Sequence, residues 1–142
     1  MDRLLLLLIV FAVIPLKSLG QNDLDFDTSQ VYVYVDSMPT MNDGLTIQDK
    51  LLQLFIKDFN YPDSLNCLIS NLIFEFVVSY NGALTDKKIT FRPYEESCND
   101  DIEKLRKAGL NFLDRFPLCK PGKLNGKNVK VKFIVPVIIC LQ

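Results

Sequence analysis

The residues of this chain best suited to chemistry are four cysteines, Cys67, Cys98, Cys119 and Cys140. Such thiols bind a metal, act as nucleophiles or pair as disulfides. Metal binding fits poorly, because the four are scattered, form no Cys-x-x-Cys pair and have no histidine to complete a ligand set. The lack of histidine also removes Ser-His-Asp and Cys-His arrangements. Cys119 has no visible base to activate it as a nucleophile. Asp100, Asp101 and Glu103 are the nearest thing to paired carboxylates, and they suit the start of a helix better than acid–base catalysis. No glycine-rich phosphate loop is present. The chain therefore reads as a non-enzyme, with no catalytic residues, no cofactor and no metal. An even cysteine set instead suggests disulfides in an oxidising compartment.

The N-terminus agrees with that compartment. A short charged segment, Met1-Asp2-Arg3, precedes the apolar run Leu4 to Ile14, Pro15 breaks it, and Ser18-Leu19-Gly20 places small residues before Gln21. This is the pattern of a secretory signal over residues 1–20, and the apolar stretch is shorter than the ~20 residues of a spanning helix. Cleavage leaves 122 of the 142 residues, enough for one domain, and no retained membrane anchor is expected. The 16 basic and 17 acidic residues lose Asp2, Arg3 and Lys17, giving a net charge of −2. So small an imbalance gives no case for binding nucleic acid. Residues 21–30 are polar and acidic and read as a disordered lead-in to a domain over 31–142.

Strand and helix patterns alternate through that domain. Val31 to Val35 is a short strand candidate. Ile47, Leu51, Leu54, Phe55 and Ile56 recur at helical spacing through Phe59, until Tyr61-Pro62 stops the helix. Leu72 to Tyr80 alternates as a strand, and Asn81-Gly82 predicts a type I′ turn into the return strand Ala83 to Arg92. Ile102, Leu105, Gly109, Phe112, Leu113 and Phe116 then form the stripe of a second helix, with Asp100 and Glu103 spaced as a capping box. Val129 to Val137 is the final strand.

This order predicts an α+β fold, a small antiparallel sheet of about three core strands plus a short N-terminal strand, with two helices on one face. The final strand should lie beside Leu72–Tyr80 and form an edge, a position that Pro136 suits because it has no N–H to donate. In that arrangement Cys67 and Cys140 come close, whereas Cys98 and Cys119 bracket a helix ~24 Å long. Of the three possible pairings, the sheet order favours one bridge, Cys67–Cys140, with the other two cysteines reduced or intermolecular.

Several segments, in order, resemble the TonB C-terminal domain family in its Bacteroidetes-type form. Tyr34-Val35-Asp36-Ser37-Met38-Pro39-Thr40-Met41 is similar to its Met-Pro opening segment, and Asn60-Tyr61-Pro62 to the stop of its first helix. Phe74 to Asp86 resembles the central hairpin, with its Val-rich strand, Gly turn and Thr-Asp pair. Pro117-Leu118-Cys119-Lys120-Pro121-Gly122 followed by Asn125-Gly126-Lys127 resembles the family's Pro-x-Trp-x-Pro-Gly and Asn-Gly-Lys signature, with Cys119 in the aromatic's place. The resemblance spans residues 34–137.

It implies a periplasmic or secreted protein-binding module that captures an extended peptide by strand addition. The implied partner is an outer-membrane TonB-dependent transporter or a related periplasmic protein. The implied docking residues are Val129, Lys130, Val131, Lys132, Phe133, Ile134 and Val135, with Asn60 and Tyr61 nearby. Lys130 and Lys132 serve equally as edge protection. Family transducers also carry an anchor and a long Pro-rich linker, whereas the lead-in here extends only ~35 Å; energy transduction by this chain alone is not expected. The alternative is a secreted structural or assembly protein, a homo-oligomer formed through the same edge or through cysteines.

Overall fold

A computed structural model describes residues 29–63, 65–67, 69, 71–92 and 98–139. The expected signal segment, most of the expected lead-in and Cys140 lie outside the described residues. Thr46 starts the first helix: its hydroxyl accepts from Asp49 N at 3.1 Å and donates to Asp49 Oδ2 at 2.7 Å. This reciprocal cap satisfies an amide that the first turn leaves open. The helix, α1 (Ile47–Asp58), buries Ile47, Leu51 and Phe55, and Phe59 caps its end. The second helix, α2 (Asn99–Asp114), buries Ile102, Leu105, Gly109, Phe112 and Leu113. Both apolar stripes follow the spacing read from the sequence except at Ile56, which is exposed, and Phe116, which lies past the end of α2.

The strands are β1 (Val31–Tyr32), β2 (Asn71–Val78), β3 (Leu84–Arg92), β4 (Gly122–Leu124) and β5 (Lys127–Ile138). They form one mixed sheet in the order β1-β5-β2-β3, with β4 also paired to β5. The fold is thus α+β, a small sheet with two helices. Its central pairings are antiparallel, β2 with both β3 and β5, and only the two-residue β1 runs parallel to its neighbour. Leu72, Phe74, Phe76 and Val78 of β2 share one core with the buried residues of both helices, so the helices cover the same face. At its centre, Phe112 meets Phe55, Phe59 and Phe74 with ring centroids 6.0, 5.7 and 5.8 Å apart.

Three details depart from the sequence reading. Asn81-Gly82 does not form a type I′ turn: only Gly82 has positive φ, at +87°, Gly82 N donates to Ser79 O, and Ser79 N donates to Ala83 O. This is the three-residue hairpin loop closed by a left-handed glycine. The type I′ turn is instead at Asn125-Gly126, where φ is +49° and +77°, and it joins β4 to β5. The Asp100–Glu103 capping box does not form either, since α2 begins two residues earlier, with Cys98 at the cap and no side-chain cap bond.

The disulfide is the third correction. Cys67 bonds to Cys98, not to Cys140. The segment before β2 folds back onto the start of α2, bringing the two Cα atoms to 5.9 Å, within the normal span of a bridge. Asp101 holds that approach. It is 3% exposed, and its Oδ2 accepts from Asn66 N at 2.7 Å and Cys67 N at 2.9 Å. The carboxylate read as a helix-dipole charge therefore fastens a loop to the helix.

Candidate functional site

The direction of each main-chain group decides which part of β5 is open. Ser79 N donates to Ala83 O, and Val77 O accepts from Thr85 Oγ1 at 3.5 Å, so odd-numbered β2 residues face β3. Even-numbered ones then face β5. Because Leu72, Phe74, Phe76 and Val78 lie opposite Val137, Val135, Phe133 and Val131, the odd-numbered β5 residues face β2. Lys130, Lys132, Ile134, Pro136 and Ile138 turn their main chain to the other side. Pro136 fits this parity: its missing N–H falls on the outer side, and the pairing with Ile73 continues without a bulge.

The outer side is only partly open. Beside Lys130 and Val131 lies β1, whereas β4 turns Gly122 and Leu124 to Val129 and Lys127 and so continues the β2 side of the strand. The edge expected from Val129 onward therefore opens only after Lys132, because β1 shields its start. Beyond Val131, no strand among the described residues pairs with this side of β5. Past Lys132, Ile134 and Ile138 carry the outward N–H groups, and Pro136 between them offers only its carbonyl.

Side chains divide the same residues again. Val129, Val131 and Val135 are buried, and Phe133 stacks on Phe76 with centroids 5.7 Å apart, so these expected docking residues contribute to packing. Ile134 and Ile138 are 60% and 72% exposed on the face that the helices leave uncovered. With Pro136 and Ile73 they line the edge with apolar surface. Lys132 Nζ is 2.8 Å from Glu75 Oε1, and this hydrogen bond lowers the Glu75 carboxyl below its usual pKa. Lys132 thus has a partner within the sheet.

Asn60 and Tyr61 go separate ways. Tyr61 packs edge-on against Phe59 and Phe55 and shares a cleft of about 310 Å³ with Leu65, Ile69, Leu105 and Ile139, the residue that follows β5. It stands at the far end of the open edge. Asn60 instead lines grooves toward the end of α2, with Asn111 and Arg115.

No family model, curated protein or solved structure matches this chain.

Cys119 occupies an apolar site behind the β2–β3 turn. Its thiol lies 3.8 Å from Met41 Sδ and 3.7 Å from Pro117 O, and burial pushes its pKa up to about 11. A thiol so placed is a poor nucleophile. The segment around it is tied on both sides: Cys119 N donates to Gly82 O at 2.9 Å, and Lys120 exchanges main-chain bonds with Thr40. The hairpin signal of Asn125-Gly126 could have revealed β4 in the sequence. Nothing in the sequence marks Asp101 or the Gly82–Cys119 contact.

Proposed function

We propose that this chain is a protein-binding module of TonB C-terminal type, which docks an extended peptide by strand addition along Lys132–Ile138. The observation that carries the reading is the combination on one strand of an outward main chain without a described partner and the exposed side chains of Ile134 and Ile138. Main-chain bonds to such an edge give affinity, and side chains at alternate positions give selectivity. Tyr61 and the cleft it shares with Ile139 would receive the end of the peptide. The disulfide agrees with an oxidising compartment, and among the described residues no helix is long and apolar enough to cross a membrane. The periplasm, or the exterior, is the proposed location. An outer-membrane transporter or a related periplasmic protein is the proposed partner, from the resemblance over residues 34–137.

The experiment is affinity capture from the periplasm with wild type and Ile134→Pro. Proline at 134 removes an outward N–H and no bond to β2, so the fold is expected to survive. A partner held by wild type and lost by Ile134→Pro supports docking at this edge. Equal capture by both forms places the contact elsewhere.

A further inference from the structure

The face of the sheet that the helices leave uncovered changes character along its length. Residues paired in register share a face, so Lys123, Lys130 and Val31 lie together at the end where β5 begins, and Ile134, Pro136, Ile138 and Ile73 lie together toward the end where it finishes. Pro136 is exposed, as Ile134 and Ile138 are. Lys88 and Arg92 carry positive charge along the β3 side of the same face. Among the described residues in register on it, Glu75 alone is acidic, and Lys132 Nζ already pairs with it at 2.8 Å. Lys123 and Lys130 have no ion-pair partner among the described residues. An occupant that fits this face is therefore apolar on one side and acidic on the other.

The segment just ahead of the described residues has that composition. Asp23-Leu24-Asp25-Phe26-Asp27 alternates acidic and apolar residues, and it enters the described chain at Ser29, in a turn just before β1. Val31 stands on the uncovered face beside Lys130. From there Ile134 lies ~13 Å along β5, whereas Phe26 and Leu24 precede Val31 by ~16 and ~23 Å of extended chain. Once the chain reverses at Ser29, that length brings Phe26 near the level of Lys132 and Leu24 near that of Ile134. We propose that residues 22–28 fold back over this face, with Leu24 and Phe26 on Ile134 and its apolar neighbours. The three aspartates then face upward at the side, within reach of the long side chains of Lys123 and Lys130. Two apolar side chains and a few exposed ion pairs make a weak contact, but so short a tether holds the segment at an effective concentration of about millimolar or above. The packing needs no partner and so stands apart from strand addition; a peptide docked at the edge would compete with it at Ile134.

The test is photo-crosslinking within the full chain as cells produce it, purified without a partner, with benzoylphenylalanine in place of Phe26. The expected product has monomer mass and joins position 26 to residues 73–75 or 132–136. Ile134→Asp, an exposed change that removes apolar surface and sets like charge under the segment, should lower the yield about tenfold. The combined change Asp23→Asn, Asp25→Asn, Asp27→Asn lies ahead of every described element, so the fold is expected to be unaffected, and it should lower the yield about threefold. Adducts scattered over the surface, adducts only between two chains, or a yield at these residues that both variants leave unchanged would overturn the proposal.

Discussion

Gly82 and Cys119 meet main chain to main chain: Cys119 N donates to Gly82 O at 2.9 Å, and a Cβ on Gly82 would fall 1.9 Å from the Cys119 carbonyl oxygen. The central hairpin is thereby held to the segment leading into β4. Gly82→Ala combines a left-handed φ with overlap on backbone that cannot swing aside, and should destabilise the domain by about 3 kcal/mol. Gly44 has a similar φ, +86°, with nothing within 4 Å of its Cβ position. Gly44→Ala should lose only about 1 kcal/mol, the conformational part alone. Urea denaturation of the two variants checks the difference.

Asp101 gives a second prediction. Asp101→Ala strands the amides of Asn66 and Cys67, which share its Oδ2, and should destabilise by about 3 kcal/mol. Asp101→Asn keeps an acceptor oxygen and should lose about 1 kcal/mol. Amide exchange at Asn66 and Cys67 should quicken in the alanine form before the sheet opens.

Peptide mapping without reduction should recover Cys67 joined to Cys98, with Cys119 as a free thiol. The bridge spans 31 residues, so the chain-entropy relation assigns it about 3.5 kcal/mol. The double Cys67→Ser, Cys98→Ser form should show a loss of that size in thermal or urea unfolding.

Cys119 links stability to alkaline pH. Its folded pKa, about 11, lies above the reference value of 9.0, because burial disfavours the thiolate. The group's contribution is therefore fully present below pH 9 and is lost as pH rises through 9 toward 11. Cys119→Ala should flatten that limb of the stability profile, and in the wild type the thiol should resist alkylation at pH 8 until the chain unfolds.

Where apolar residues recur with one period, the sequence was a sound guide. The stripes of α1 and α2, the alternation of Leu72, Phe74, Phe76 and Val78, and the place of β5 beside β2 all follow from burial of one face. Features set by long-range approach were less legible. Asn-Gly occurs at both hairpins, but only Asn125 takes positive φ; at Asn81 the loop holds an additional residue. Cys67 pairs with Cys98 because the chain before β2 turns back to α2, a path that local periodicity does not encode. The candidate site was legible as an edge strand, and its limit was not, since the shielding β1 is only two residues long.

The most direct test of the central claim is site-specific photo-crosslinking from Ile134 in cells that make the protein, with Ile56 as the reference position. Ile56 is 86% exposed on α1, away from the edge. The expected result is an adduct from position 134 but not from 56, with one extended segment of a single partner, suppressed by Ile138→Pro or by a peptide of that segment. Equal crosslinking from both positions, or none from 134 while the partner remains bound, would contradict strand addition at β5.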